Sequence, residues 1–259
     1  MRVIRVRHRG SVFFAALQDD GVVCLNRQLG YEAPIPLSEI TLLPVVAPSK
    51  VVCVGLNYRG HAGELGMDVP DEPVFFLKAP TAIIGTGEPI VLPPAVGRVD
   101  YEGELALVVG KQCRNITPEQ AREHIFGFTC ANDVTARDIQ KRDGLFGRCK
   151  GYDTFCPVGP WIETALEDPG NLTLRTVVNG DVRQQGNTAD MLFHPFELLS
   201  SISRVMTLLP GDLVLTGTPE GIGPIHAGDE VRVEIDEVGL LTNPVIPADE
   251  DATGDTPLQ

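Results

Sequence analysis

The first part of the chain alternates apolar and polar residues in the manner of β-strands. Residues 2–7 (RVIRVR) place Val and Ile between arginines, and residues 11–17 (SVFFAAL) are also strand-like in composition. An Asp20-Gly21 pair separates this second run from VVCL, and Asp-Gly between apolar segments is typical of a hairpin turn. The pattern predicts a small β-rich unit at the amino terminus.

A proline-punctuated segment follows this unit and is predicted to be a linker. It runs from Pro34 to Pro48. VVCVG (51–55) then has the short, continuous apolar pattern of a buried strand and begins the main body of the chain. We therefore predict an amino-terminal unit with its linker over residues 1–48 and a main domain over residues 49–247.

Two helices are predicted in the main domain. Thr117 is placed as an N-cap, Pro118 at the first helical position and Gln120 at the capping-box position, so a helix is expected to run to about Phe126. Apolar residues spaced by three and four predict a second helix with a buried stripe, which ends before Pro210-Gly211. The stripe consists of Phe196, Leu199, Ile202, Val205, Met206 and Leu209.

Most of the remaining apolar segments of the main domain have the composition of strands, and the last of them alternates apolar with charged residues. They are ELALVVG (104–110), FGFTCAND (126–133), LTLRTVVNG (172–180), DLVLTGT (212–218) and VRVEID (231–236). The predicted fold class is α+β, dominated by β-structure. The sequence has no internal repeat and no glycine-rich phosphate loop.

The composition is that of a globular protein with one large domain. The chain has 259 residues, of which 43% are hydrophobic and 22% charged, enough for one sizeable core. The amino terminus lacks the long apolar segment of a signal peptide or membrane span, so a cytoplasmic location is expected. The six cysteines contain no CxxC pair and are expected to be mostly buried thiols.

The formal net charge of -14 opposes binding to nucleic acids and to anionic membranes. Part of this charge lies in residues 248–259, which are acidic and are expected to form a disordered tail. The stretch from Arg137 to Lys150 is basic instead, with five of the 21 Lys and Arg residues. A small anion could be drawn to this stretch, although a solvated charged loop explains Lys141 and Arg142 equally well.

Two glutamates introduce the candidate chemistry. Glu102 and Glu104 are two residues apart, so on a strand both carboxylates point to one face. A cation could neutralise such a pair on a buried strand, but from this spacing alone an acidic surface stripe is the better interpretation. Asp100 would share the face, as a supporting hydrogen-bond acceptor or as a surface group.

Asp133 changes this balance, because it ends another strand-like segment and can supply a third oxygen ligand. Three carboxylates with positions left for water or substrate suit Mg²⁺ or Mn²⁺, and Ca²⁺ is an alternative. None of the five histidines is close to these acids in sequence. The three acids therefore predict a site for a divalent cation of the hard, oxygen-binding type.

Six blocks of sequence, taken together, resemble the fumarylacetoacetate hydrolase family. They fall in order and cover most of residues 51–236. The blocks are VGLNYRGHAGELG (54–66), FFLKAPTAIIGTG (75–87), VDYEGELALVVGK (99–111), FGFTCANDVTARDIQ (126–140), KGYDTFCPVGPWI (150–162) and LVLTGTPEGIG (213–223). The resemblance implies a mixed β-sandwich roll that usually assembles as a homodimer. It also implies that Glu102, Glu104 and Asp133 are Mg²⁺ ligands, and that Lys150 neutralises an enolate or delivers a proton.

The resemblance also marks His61 and Glu64, which lie three residues apart in HAGE. In family members that hydrolyse C–C bonds such a dyad activates water, with His taking the proton and Glu orienting the imidazole. Glycines at 60, 63 and 66 each disfavour a helix by about 1 kcal/mol, so we predict a mobile lid that orders over bound substrate. The alternative is an exposed loop histidine with a chance acidic neighbour.

The remaining matched positions are assigned to the substrate. By resemblance, Arg137 and Gln140 face it, Thr218 binds its carboxylate through backbone and hydroxyl, and Lys78 lies behind the metal ligands. The other histidines match no catalytic position and are expected to be structural or exposed. They are His8, His124, His194 and His226.

These residues predict a divalent-metal-dependent enzyme that acts on 2-oxo or β-diketo acids through a metal-bound enolate. The intact dyad favours hydrolysis of a C–C bond in an acylpyruvate-like substrate. The KGYDTFCPVGPWI block resembles instead the aromatic-catabolic branch of the family, which includes isomerases of the 2-hydroxyhepta-2,4-diene-1,7-dioate type and decarboxylases. Decarboxylation of oxaloacetate is a further alternative.

A metal-stabilised binding module without turnover is the alternative of another class. The expected partners are a small anionic 2-oxo acid and a second copy of the chain, without nucleic acid or membrane.

Overall fold

The computed structural model describes residues 1–249. The prediction of a disordered acidic tail falls mainly on residues 250–259, which lie outside the described residues. Strands dominate the described part of the chain and helices are short, so the predicted β-dominated α+β fold is confirmed.

The strands follow one another closely along the chain. They are β1 (Arg2–His8), β2 (Ser11–Gln18), β3 (Gly21–Cys24), β4 (Thr41–Leu43), β5 (Val51–Gly55), β6 (Val74–Lys78), β7 (Ile83–Ile84), β8 (Ile90–Leu92), β9 (Val99–Tyr101), β10 (Gly103–Val109), β11 (Ile125–Asn132), β12 (Thr135–Ala136), β13 (Cys156–Glu163), β14 (Thr173–Val178), β15 (Asp181–Asn187), β16 (Leu213–Leu215), β17 (Gly223–Pro224), β18 (Glu230–Ile235) and β19 (Gly239–Pro247).

The α-helices have between five and eleven residues. They are α1 (Arg59–Glu64), α2 (Pro118–His124), α3 (Arg137–Asp143), α4 (Phe146–Lys150) and α5 (Pro195–Val205). Single turns of 3₁₀-helix occur at Arg27–Leu29, Leu37–Glu39, Pro80–Ala82 and Thr188–Asp190.

One large sheet runs through most of the molecule. Its main path is β3-β2-β1-β13-β11-β10-β16-β5-β6, with β4 paired to β1 and β7 paired to β13. The amino-terminal strands enter this sheet because β1 pairs with β13, where Arg2 lies opposite Glu163. The predicted linker contributes β4 to the same sheet. The predicted boundary near residue 48 therefore falls between strands of one continuous sheet.

A second sheet packs over the large one and gives the sandwich arrangement. It has five strands in the order β15-β14-β18-β19-β8, and a small third sheet has the order β12-β9-β17. The largest core cluster lies between the layers, with Leu107 and Phe128 from the large sheet, Leu174 and Val233 from the five-stranded sheet, and Leu199 from α5. Every residue of β10 is buried, which explains its apolar run from Leu105 to Val109.

Both predicted helices exist but end earlier than predicted. Helix α2 has the predicted capping contact, since the Gln120 side chain accepts the Thr117 N–H at 2.9 Å, and it ends at His124 because the chain then enters β11. Helix α5 ends at Val205, which is 62% exposed. The prediction of a buried stripe continuing to Leu209 is wrong at this end, because Leu208 pairs with Cys113 as a bridge.

The buried Asp212 ties the start of β16 to the start of β5. Its carboxylate accepts hydrogen bonds from the backbone N–H groups of Ser49 (2.9 Å), Lys50 (3.2 Å) and Leu209 (2.8 Å), and from the Lys50 ammonium at 2.5 Å. Burial acts to raise the pKa of Asp212, but the hydrogen bonds from Lys50, Leu209 and Ser49 outweigh burial and lower this pKa. The carboxylate therefore contributes stability at neutral pH that is lost as the pH falls through its lowered pKa.

We expect Asp212→Ala to lower the free energy of unfolding by about 2–4 kcal/mol, because it leaves buried N–H groups without an acceptor. Urea unfolding at pH 7 measures this change. The control is Asp181→Ala, whose side chain is 73% exposed and should change stability by less than about 0.5 kcal/mol. Equal unfolding midpoints for the two variants would contradict this role of Asp212.

Candidate active site

The three candidate metal ligands converge at one end of the large sheet. Strands β10 and β11 are antiparallel, with Gly103 opposite Asn132, so the start of one lies beside the end of the other. The backbone fixes this junction, because the Asp133 N–H donates to the Glu102 carbonyl at 2.8 Å. One carboxylate oxygen from each of Glu102, Glu104 and Asp133 lies within 4.8 Å of the others, and all three residues are buried. The interpretation as an exposed acidic stripe is therefore wrong.

Two buried lysines contact these acids. The Lys150 ammonium donates to Glu102 Oε2 at 2.8 Å and to Asp133 Oδ2 at 2.6 Å. The Lys78 ammonium donates to Asp133 Oδ1 at 2.5 Å and to the Val134 carbonyl at 3.2 Å. Lys150 thus lies among the acids, and Lys78 supports Asp133 from strand β6.

Arg137, at the start of α3, is the third buried cation. It donates to Glu102 Oε1 at 2.5 Å, to Asp100 Oδ2 at 2.9 Å and to Gln140 Oε1 at 2.5 Å. Asp100 is fully buried and also accepts from Arg98 at 2.6 Å. Of the two sequence alternatives for Asp100, the supporting acceptor is confirmed and the surface group is wrong.

Burial and neighbouring charges shift the pKa values of the site residues in different directions. Burial acts to raise the pKa of Glu102, but Lys150 and Arg137 outweigh burial and lower this pKa. Burial, Asp133 and Glu102 all raise the pKa of Glu104, whose Oε2 accepts the Gly217 N–H at 2.7 Å. Burial opposes the charge of Lys150, but Asp133 and Glu102 outweigh burial and raise its pKa. An added cation would offset the repulsion that disfavours the ionised form of Glu104.

The donor set fits a divalent cation. Among residues 1–249 the cluster combines four buried carboxylates, including Asp100, with the three buried cations Lys78, Arg137 and Lys150. A divalent ion would reverse the excess of negative charge and leave a site that attracts an anion. The three grouped ligand atoms are all carboxylate oxygens, and such a set favours Mg²⁺ or Mn²⁺ over Zn²⁺.

His61 and Glu64 form the predicted pair within α1. The His61 Nδ1 lies 3.2 Å from Glu64 Oε2, and His61 is buried with 5% of its surface exposed. Glu64 Oε1 accepts the Gly221 N–H at 3.1 Å, which attaches α1 to the loop after β16. The alternative of an exposed loop histidine is therefore wrong. The mobility of this segment stays a prediction.

Helix α1 forms despite its glycines because it packs against the 216–221 loop. The Glu220 carboxylate lies directly over Gly60, and a Cβ at this position would collide with it. A Cβ at Gly63 would meet no atom within 4 Å, so no neighbouring group packs against this glycine. The glycine at position 60 therefore leaves room for the Glu220 side chain beside α1.

One cavity brings the predicted residues together. Eight of the ten predicted site residues line it: His61, Glu102, Glu104, Asp133, Arg137, Gln140, Lys150 and Thr218. Lys78 and Glu64 do not line the cavity, but each contacts a residue that does. The predicted site residues therefore line one cavity or contact its lining.

Part of the cavity wall is apolar, a feature that the sequence analysis missed. It includes Leu65 and Met67 after α1, Phe76 on β6 and Phe146 on α4. The Phe76 and Phe146 rings lie 4.7 Å apart, and the Lys150 ammonium lies 5.2 Å from the Phe76 ring centre. Alternation along β6 places Phe76 on the same face as Lys78, and this spacing was the available signal.

The Thr218 hydroxyl is already engaged by the protein. It donates to the Gly103 carbonyl at 2.8 Å and accepts from Gln184 Nε2 at 2.8 Å. Its single proton is therefore already used within the protein, so a bond from this hydroxyl to a substrate carboxylate would compete with the Gly103 carbonyl. The hydroxyl instead joins the loop to the strand that carries the acids.

The other candidate groups lie away from the cavity. His8 is buried against Tyr31 and Glu39, and His194 is the N-cap of α5. Lys141 and Arg142 are exposed, whereas Arg137 and Lys150 of the same basic stretch are buried in the site.

All six cysteines are free, and five of them are buried, as predicted. Burial raises the pKa of Cys156 to about 12, which disfavours a thiolate there. In the described part of the chain, no helix combines the length and the apolarity that a membrane crossing requires.

The chain is similar to proteins of known family and structure. Residues 50–246 match the family model described as fumarylacetoacetate (FAA) hydrolase C-terminal. The 5-carboxymethyl-2-hydroxymuconate delta-isomerase from Mycobacterium smegmatis superposes with a TM-score of 0.85 at 46% identity, covering 96% of this chain and 100% of that one.

Two further relatives carry other activities. The mitochondrial oxaloacetate tautomerase FAHD2A of Bos taurus is 45% identical over 237 residues, which is 86% of this chain and 75% of the relative. The maleylpyruvate hydrolase from Sphingobium sp. SYK-6, in complex with manganese(II) ion and pyruvate, superposes with a TM-score of 0.81 at 33% identity, covering 96% of this chain and 100% of that one.

Proposed function

The chain belongs to the fumarylacetoacetate hydrolase family, and on this premise we propose that it is a divalent-metal-dependent enzyme that hydrolyses a C–C bond of an acylpyruvate-like β-diketo acid. The observation that carries the proposal is the placement of His61. Its ring lines the same cavity as the three acids, while its Nδ1 is paired with Glu64.

Mg²⁺ or Mn²⁺ held by Glu102, Glu104 and Asp133 would supply a Lewis acid for the carboxylate and 2-oxo oxygen of the substrate. The Mn²⁺ ion in the Sphingobium hydrolase supports this choice of metal. Lys150 keeps its proton beside two of the acids, so its role is to hold positive charge near the carbon chain that becomes an enolate.

His61 would act as the general base for water. With Nδ1 facing Glu64, its Nε2 is the nitrogen left to accept a proton from a water molecule in the cavity. Glu64 stabilises the imidazolium that results, and its bond to Gly221 holds the carboxylate in place. Water then attacks the distal carbonyl, and the enolate of pyruvate leaves.

The apolar wall favours an acyl group at the far end of the substrate. Leu65, Met67, Phe76 and Phe146 offer no partner for a second carboxylate, whereas they can bury an alkyl or aryl chain. This feature favours acylpyruvates over dicarboxylic substrates.

Enol–keto isomerisation of a 2-oxo acid is the second candidate. Two relatives at 45–46% identity are named as an isomerase and a tautomerase, which favours this reaction. It needs the same enolate and a proton transfer by His61, without attack by water. Decarboxylation of oxaloacetate would use the same enolate and is a third outcome of the assay below.

One assay separates these reactions. The protein is stripped with EDTA, supplied with Mg²⁺ or Mn²⁺, and given acylpyruvates of increasing chain length, or oxaloacetate, while the ultraviolet absorbance of the enol form is followed. Pyruvate and a carboxylic acid in equal amounts identify hydrolysis, CO₂ identifies decarboxylation, and absorbance change without either product identifies isomerisation. No turnover of any 2-oxo acid would favour the non-catalytic binding module.

The metal site also predicts a stability effect. Mg²⁺ at one hundred times its dissociation constant should stabilise the fold by about 2.7 kcal/mol, since the unfolded chain has no preformed site. Scanning calorimetry with and without EDTA measures the shift in Tm. Asp133→Asn should abolish most of the shift, and an unchanged shift would contradict the assignment of Asp133 as a ligand.

We also propose a homodimer, on the family resemblance alone. Light scattering of the purified chain would then give twice the monomer mass of 27.9 kDa.

A further inference from the structure

Gln184 on β15 is fully buried and makes every hydrogen bond that an amide side chain can make. Its Nε2 donates to Thr218 Oγ1 and to the Pro219 carbonyl, both at 2.8 Å. Its Oε1 accepts from the Gly103 N–H at 3.0 Å and from Thr176 Oγ1 at 2.8 Å. Four satisfied bonds fix the position and the orientation of this amide.

The acceptor side of Gln184 holds the backbone between two metal ligands. Gly103 lies between Glu102 and Glu104 in sequence, and its N–H points at Gln184 Oε1. A Cβ at Gly103 would collide with Thr176 Oγ1 and lie 3.5 Å from Gln184 Oε1. The backbone that carries both carboxylates is therefore packed directly on this amide.

The donor side of Gln184 holds the 216–221 loop, which reaches both the cavity and the dyad. Thr218 lines the cavity, and Gly221 donates to Glu64. Gly221 also packs on β15, because a Cβ there would lie 2.6 Å from the Arg183 carbonyl and 3.3 Å from Gln184 Cγ. The loop cannot shift on β15 without disturbing Gln184.

We propose that Gln184 is a positioning residue of the active site. Its one amide sets the distance between the backbone that carries two of the metal ligands and the loop that supports Thr218 and the His61–Glu64 dyad. The proposal rests on the proposed function for the identity of these groups. Gln184 itself touches neither the metal nor the substrate, so it acts through Gly103 on one side and through Thr218 and Pro219 on the other.

The test measures Mn²⁺ binding to the full chain by electron paramagnetic resonance, together with KM and kcat. Gln184→Met removes all four hydrogen bonds at similar volume and should weaken Mn²⁺ binding by about 10–100-fold, as loss of a group that orients metal ligands does. Gln184→Glu retains an acceptor for Gly103 but loses the donors to the loop. It should bind Mn²⁺ more tightly than Gln184→Met while its KM remains raised about tenfold or more.

Asn243 provides the matched control. It is buried on β19 and donates to the carbonyls of Gly85 and Glu88, both at 2.8 Å, away from the cavity. Asn243→Leu should lower Tm as Gln184→Met does, yet keep Mn²⁺ affinity and KM within about twofold of wild type. This contrast separates a positioning role from a purely structural one.

Three outcomes would overturn the proposal. The first is wild-type Mn²⁺ affinity in folded Gln184→Met, and the second is an equal loss of affinity in Gln184→Met and Asn243→Leu. The third is a wild-type KM in Gln184→Glu, and this result decides the matter if the Met variant does not fold. If the wild-type chain binds no Mn²⁺, the proposed metal-dependent function fails together with this proposal. Wild-type binding with an unaffected Gln184→Met variant contradicts the positioning role alone.

Discussion

Replacing Glu104 by glutamine is expected to reduce kcat/KM by about 10³-fold or more, while the metal-free protein becomes no less stable. Glu104 is one of three carboxylates grouped within 4.8 Å, and the amide cannot supply its negative charge to a cation. A loss of about 4 kcal/mol of transition-state stabilisation corresponds to a factor of about 10³ in rate.

The stability part of this prediction follows from the direction of a pKa shift. The pKa of Glu104 is raised in the fold by burial and by its acidic neighbours. A group with a raised pKa favours folding when it is protonated, and this contribution is lost as the pH rises. Glutamine is neutral at every pH, so the variant does not lose this contribution to stability. The Tm of Glu104→Gln in EDTA should therefore equal or exceed the wild-type Tm at pH 7 and above.

Steady-state kinetics with Mg²⁺ and calorimetry in EDTA measure the two effects. Glu119→Gln is the control. Glu119 is exposed on α2, so this substitution removes the same charge far from the cavity. Activity of Glu104→Gln above about one tenth of the wild-type value would exclude Glu104 as an essential ligand.

Replacing His61 by alanine should lower the rate of hydrolysis by about 10²–10⁴-fold, because it removes the general base for water. Its effect on Mn²⁺ affinity should be small, since His61 is not one of the three grouped acids. Glu64→Gln should cost less than His61→Ala, because the histidine would remain and only its charged partner would be lost. The order of these two effects is specific to a dyad.

The measurement is kcat on an acylpyruvate with saturating Mg²⁺, combined with Mn²⁺ binding. His226→Ala serves as the control, since its side chain is 76% exposed on a turn. Undiminished hydrolysis in His61→Ala would refute the assignment of the His61–Glu64 dyad as the base that activates water. Loss of Mn²⁺ binding would show instead that the substitution disturbs the acids.

Local patterns in the sequence predicted the elements of this fold better than their connections. Strand β5 occupies residues 51–55 as predicted, and β10 follows its continuous apolar run, because burial on both faces leaves a clear local signal. The pairing of β1 with β13 joins residues about 160 positions apart, and nothing local specifies it. The extent of the large sheet therefore required the structure.

The residues of the candidate site were likewise predicted only in part from local sequence patterns. Spacing alone favoured a surface stripe for Glu102 and Glu104, and the ordered blocks of the family resemblance made a metal site the better hypothesis. Asp100 and Gln184 could not be assigned, because their roles depend on partners distant in sequence, such as Arg137 and Gly103. A side chain that supports a site through tertiary hydrogen bonds has no signature of its own in a single sequence.

The close packing of Glu220 on Gly60 limits how this enzyme can be engineered. On an isolated helix, Gly→Ala would strengthen α1 by about 1 kcal/mol, and it would be a natural choice for a thermostable variant. Here a methyl at Gly60 would meet the Glu220 carboxylate, so this exposed side chain would have to turn away from α1. At Gly63 the added carbon meets no neighbour, so Gly63→Ala is the substitution expected to strengthen α1 without moving another side chain.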